Sequence, residues 1–220
     1  MFVSMSRRLH ILRNSLLGLC YLWFCYLMLK IMLQYIPWSS HVAFLNIKQQ
    51  ALTWSFYEPV FFIHVFTSIL LLPPGLVQFS PYIRKRWPHW HRLFGKSYVW
   101  LVLIFVAPTG IIMGLFANGG WSAQLAFCIL GLLWFFSTWY AMKCAMQRKW
   151  LEHRDWMIRS FALMLSAITL RLWKWILVAL FHPHPMDVYR WIAWLGWGLN
   201  LIFAEYLIFQ IHRREKIIKK

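Results

Sequence analysis

His91 and His153 each open a basic motif just ahead of an apolar run. The motifs read His91-Arg92-x-x-Gly95-x-x-Tyr98 and His153-Arg154-x-Trp156-Met157-Ile158-Arg159-Ser160. Two imidazoles at one depth on different helices are the donor set for a b-type haem, with arginines beside its propionates. Arg92 and Arg159 are the arginines this reading would use. The competing reading makes both histidines interfacial members of ordinary His-Arg clusters. An outer layer holds His64, Arg171 and Lys174. Ionisable side chains within a bilayer are costly, so each needs a partner or a task. Arg171 lies about 13 Å from the outer end of its run, too deep to snorkel, and is expected to face the bundle interior. His64 and Arg171 are expected to line one outer polar site. Glu205 and Arg159 fall at a similar inner depth, and pairing would neutralise both. Tyr98 and Gln78 complete the intramembrane polar set. His182 and His184 could hold a metal with Asp187, but prolines beside each histidine favour a stiff outer turn.

These residues are positioned by long apolar segments. The chain has 220 residues, 61% hydrophobic, 20% aromatic and 13% charged. A soluble domain carries about a quarter charged residues. A helix needs about 20 apolar residues to cross the hydrocarbon core. Six stretches qualify, at roughly 15–33, 59–79, 97–117, 122–142, 157–180 and 188–209. Apolar residues come in runs without alternation, which excludes barrel strands. The expected fold is an all-α polytopic bundle in one membrane domain spanning 1–220, with spans two to five as its core. The first stretch is longer than a signal h-region and lacks a small-x-small cleavage site, so it reads as a retained span.

Eighteen of the 23 lysines and arginines fall on one side of such a bundle. That bias predicts a cytoplasmic location for the basic loops and both termini. The formal charge of +17 does not indicate nucleic acid, because the basic residues flank spans and form no single soluble face. Cys20, Cys25, Cys128 and Cys144 show no C-x-x-C spacing and read as buried free thiols. Glycine-rich phosphate loops, G-x-S-x-G and H-E-x-x-H are absent. Pro73 and Pro74 in the second span leave the carbonyls of Ile69 and Leu70 without helical donors, so that stretch should face protein or water. The two His-Arg motifs also suggest that spans two to three and four to five are parallel repeats.

The two motifs, continued through Phe161-Ala162-Leu163 with Arg171 nine residues past Ala162, resemble a bacterial membrane family catalogued as domain of unknown function 2306. His64 and the Gln78-Phe79 end of span two are similar to it as well. The resemblance runs from about Pro59 to Glu205. It implies a bacterial cytoplasmic-membrane protein and carries no activity. The architecture is also similar to cytochrome b561 proteins, with six spans, cytoplasmic termini and a four-helix core holding two haems. Their outer haem would need a partner for His64 on span four, where Ala126, Phe127 and Cys128 stand and no histidine occurs. One haem or none fits these residues. The working expectation is a membrane redox protein binding one b-type haem or a quinone. The alternative is a non-catalytic subunit associated with another membrane protein, or a small-solute transporter.

Overall fold

Helix starts and stops are written locally. Pro81 and Pro88 sit in first turns, where a missing N–H is harmless. The Ser80 hydroxyl caps the short helix Pro81–Arg86 by accepting from the Ile83 N–H. Gly119 and Gly120, with φ of 95° and 77°, make the turn before Trp121 that side chains with a Cβ resist. The computed structural model describes residues 2–182 and 184–218. Among them there is helix and no strand.

Five helices are long and apolar enough to span: Leu12–Leu33, Tyr57–Gly75, Pro88–Leu115, Trp121–Met146 and Asp187–Ile217. The helices Trp150–Met164 and Ser166–Phe181 meet at a 42° bend and together pass the same test, which makes six when the pair is counted as one span. The chain is therefore an all-α, multi-pass membrane bundle. Spans three and five begin earlier than hydropathy indicated, at Pro88 and Trp150. His91 and His153 accordingly lie in the first turns of helices, not in loops. Charged interfacial residues lower hydropathy without opposing helix, so a hydropathy window misses these turns.

The core takes Leu71 and Leu72 from span two, Tyr98, Val102 and Val106 from three, Trp134 from four, and Leu163 from five. The last span adds Trp197 to it. Lipid tails are as apolar as leucine, so helices associate through close packing at small residues. Ala123, Ala126 and Ala193 are fully buried together. A Cβ on Gly131 would lie 2.5 Å from Ile111 Cγ1, and one on Gly75 would lie 2.4 Å from Phe161 Cε2. The first span stands at the edge, and Tyr21 attaches it by donating to the Leu72 carbonyl (2.8 Å).

At the prolines of span two, one of the two carbonyls has a donor within the chain. The helix tightens to a 3-10 turn at Ile69–Leu71, and the Leu72 N–H takes the Ile69 carbonyl. Leu71, Leu72, Pro74 and Gly75 are buried in protein. Span three opens into a π-helical stretch, Leu101–Val106, just before Pro108. Span five bends at Leu165, with no proline or glycine nearby. There Asn200 inserts its amide, donating to the Ala162 carbonyl (3.0 Å) and to Thr169 Oγ1 (3.0 Å).

Candidate functional site

At the inner face, His153 Nδ1 donates to the Ala141 carbonyl (2.8 Å). That bond places a proton on Nδ1 and does not use Nε2. His91 lies near enough to interact electrostatically with His153 and with Arg84. Its Nδ1 is buried and is one of three such atoms without a partner among the described residues. Gln78 Nε2 donates to the His91 carbonyl (2.8 Å), and its amide rests against Gly95. The two rings lie close enough to feel one another's charge, with no direct contact between them.

Arg159 and Glu205 form the expected pair, in fork geometry: Nε–Oε1 is 2.5 Å and Nη2–Oε2 is 2.9 Å. The guanidinium also covers the Trp156 ring at 4.5 Å. Arg154 is held by Glu215 and Asp155, and Asp155 also contacts His212 (2.7 Å). These contacts tie the C-terminal end of the last helix to span five. Arg159 is thereby committed to Glu205, and Arg84 and Arg92 are the bases left near His91.

One layer further in lies a network that composition does not announce. Trp134 Nε1 donates to Tyr98 Oη (3.2 Å), and Thr138 Oγ1 donates to the Trp134 carbonyl (2.8 Å). Ser160 Oγ lies 2.9 Å from Tyr98 Oη and 2.7 Å from Thr138 Oγ1. Each hydroxyl has one proton. Thr138 has given its proton to a carbonyl, so Ser160 must donate to Thr138 and Tyr98 must donate to Ser160. The chain of donors starts and ends on Trp134. All four residues are buried, and every donor is used.

This network also bears on the repeat. Tyr98 and Ser160 each stand seven residues after their histidine, and they bond to each other. In the same ungapped register the π stretch Leu101–Val106 matches the bend region of span five. Thr109 Oγ1 donates to the Phe105 carbonyl, and its counterpart Arg171 donates from Nη1 to the Ala167 carbonyl, Phe105's counterpart. The repeat is visible in backbone breaks and in the side chains that cover them.

At the outer face, His64 Nδ1 donates to the Val106 carbonyl (3.1 Å) and approaches Thr109 Oγ1 (3.1 Å). The ring covers a carbonyl beside the π stretch. Arg171 is close enough to His64 and Tyr35 to interact electrostatically. Arg171 keeps accessible surface, while its guanidinium lies enclosed near His64, Tyr35 and Tyr189. Lys48, in the outer loop, was missed. It is 4% exposed and donates to the carbonyl of Phe116 and to Asn118 Oδ1 (2.6 Å), at the end of span three. A cation there meets the negative end of a helix dipole. His182 takes a left-handed conformation (φ 45°) that ends its helix, as a stiff turn requires. Among the described residues, no three His, Cys, Asp or Glu side chains are grouped to hold a metal ion.

No curated protein and no solved structure matches the chain. The sequence pattern of a family described as predicted membrane protein, DUF2306, matches residues 61–208, which include both histidine motifs, His64, Arg171 and Glu205. With about two thirds of its length matched, the chain belongs to that family of membrane proteins.

Proposed function

We propose that this membrane protein is a redox protein holding one b-type haem at its inner face, with His91 and His153 as axial ligands and both termini cytoplasmic. The observation that carries the reading is the state of the two rings. His153 has its Nδ1 proton engaged by a backbone carbonyl, leaving Nε2 as the donor, which is how proteins orient a metal-bound imidazole. His91 has a buried nitrogen with no partner, an expense that a ligand would justify. Ala141 and Gln78 hold the two first turns in place, and Arg84 and Arg92 supply positive charge for propionates. A bound haem would supply one-electron transfer. Span four carries no histidine, so a second haem has no ligand pair here.

The test is an absorption spectrum of protein expressed with haem supplementation. A Soret band that sharpens on reduction and is lost in both His91→Ala and His153→Ala is expected. A colourless preparation overturns the haem reading. If that colourless protein instead binds a quinone analogue in a His153-dependent way, the pair serves a quinone. Stable co-purification with a neighbouring membrane protein, with neither ligand bound, assigns the chain to the subunit class. Reporter fusions after Ile218 and at Gly119 test orientation, with cytoplasmic activity expected only for the first.

A further inference from the structure

Polar residues from four separate elements converge at the end of the bundle away from the histidine pair. Tyr35 follows span one, His64 lies in span two, Arg171 in the second helix of the bent pair, and Tyr189 near the start of the last span. Arg171 lies within electrostatic reach of each of the other three, and the two phenols lie within reach of one another. Arg171, His64 and Tyr189 keep accessible surface, so water-sized groups reach all three. Tyr35 is buried, and its hydroxyl accepts from the Phe44 N–H (3.3 Å), which holds it against the outer loop. The Tyr189 ring lies under the Lys174 ammonium at 5.6 Å.

Arg171 brings a full positive charge to this group, and no member of the group is negative. Tyrosine hydroxyls are neutral near physiological pH. His64 spends its Nδ1 proton on the Val106 carbonyl (3.1 Å). Among the described residues no carboxylate is within ion-pair distance of Arg171. Asp155, Glu205 and Glu215 hold bases at the opposite end of the bundle, and Asp187 faces Arg190 at 4.0 Å. A cation inside a membrane bundle is costly unless it is paired or solvated. Arg171 gives one Nη1 hydrogen to the Ala167 carbonyl. In the sister span Thr109 performs that backbone task without charge, so it does not account for an arginine. Among the described residues the other guanidinium hydrogens and the Tyr189 hydroxyl have no acceptor. A planar fork of donors beside phenolic hydroxyls matches a carboxylate. The fork takes both oxygens, and the hydroxyls take the remaining lone pairs.

We propose that these residues bind a small monocarboxylate, with Arg171 gripping both oxygens and Tyr35 and Tyr189 donating to them. A single negative charge balances the site, and the proposal does not depend on the histidine pair or on haem. Acetate is the probe. Acetamide has the same shape without the charge, and chloride has the charge without the fork geometry. Line broadening of isotopically labelled acetate, titrated with the full chain in detergent at constant ionic strength, reads the binding. Unlabelled acetate should reverse the broadening, and acetamide and chloride at the same concentration should not. Arg171→Gln should weaken binding about tenfold or more, and Tyr189→Phe about threefold. Arg171→Lys, which keeps the charge and loses the fork, should fall between wild type and Arg171→Gln. Arg190→Gln should bind as wild type does. Gel-filtration profiles report whether each variant is folded. Absence of broadening, or equal broadening by folded Arg171→Gln protein, overturns the proposal. Chloride that displaces acetate as well as acetate itself does would make this a general anion site and overturn the carboxylate assignment.

Discussion

The ring of donors through Trp134, Tyr98, Ser160 and Thr138 makes an unusual demand on mutagenesis. Ser160→Ala removes two bonds, of 2.9 and 2.7 Å, and strands the Tyr98 hydroxyl proton at a site with 1% exposure. Two interhelical bonds at the membrane average of about 0.6 kcal/mol give a floor near 1.2 kcal/mol. A stranded buried donor costs about 1–3 kcal/mol. We therefore expect about 2 kcal/mol, or about 4–8 °C in apparent Tm for a chain of this size. Tyr98→Phe strands the Trp134 N–H instead, and Thr138→Val strands the Ser160 hydroxyl. Every single variant leaves one orphan donor, and so does the triple variant, which leaves only Trp134 Nε1. The triple should cost about as much as one single, far less than their sum. Thermal unfolding of the purified variants in detergent, followed by near-ultraviolet circular dichroism, measures this. Additive losses, or a Ser160→Ala protein that melts with wild type, would refute the directional ring.

Four further outcomes follow from packing and burial. Gly75→Ala drives a Cβ to 2.4 Å from Phe161 and 2.6 Å from the Tyr21 hydroxyl, and should lower stability by about 1–3 kcal/mol. Gly18→Ala, with nothing within 4 Å, should be neutral or stabilising in the same melting assay. Arg159→Ala and Glu205→Gln should each reduce the folded yield in detergent gel filtration, whereas the exchange Arg159→Glu with Glu205→Arg should recover much of it, if charge pairing is what counts. Burial pushes Lys48 from the ordinary 10.5 down to about 8. Between those values the unfolded chain binds the additional proton, so this residue makes stability rise with pH from about 8 to about 10.5. The Tm difference between wild type and Lys48→Met, followed across that range, should show the slope, and a flat difference would contradict it.

Much of this molecule follows from residue order alone. The bilayer admits only closed hydrogen bonding, so runs of apolar residues must be helices, and run length sets the number of spans. Depth along a run also follows from counting, which is why Arg159 pairs with Glu205 across two helices. Rotation about the helix axis does not follow from counting. Which groups surround Arg171 depends on how span five bends at Leu165, where Asn200 from another helix inserts its amide. Ser160, Thr138 and Trp134 carry no periodic signal among apolar neighbours. Only the crossing of three helices brings them together, although the equal spacing of Tyr98 and Ser160 from their histidines was a clue. Only the tertiary structure places Lys48 at the end of span three. The physical reason is the same in each case. Hydropathy is a one-dimensional property fixed by the chain, while hydrogen-bond satisfaction is a property of neighbours, and neighbours exist only once the helices have packed.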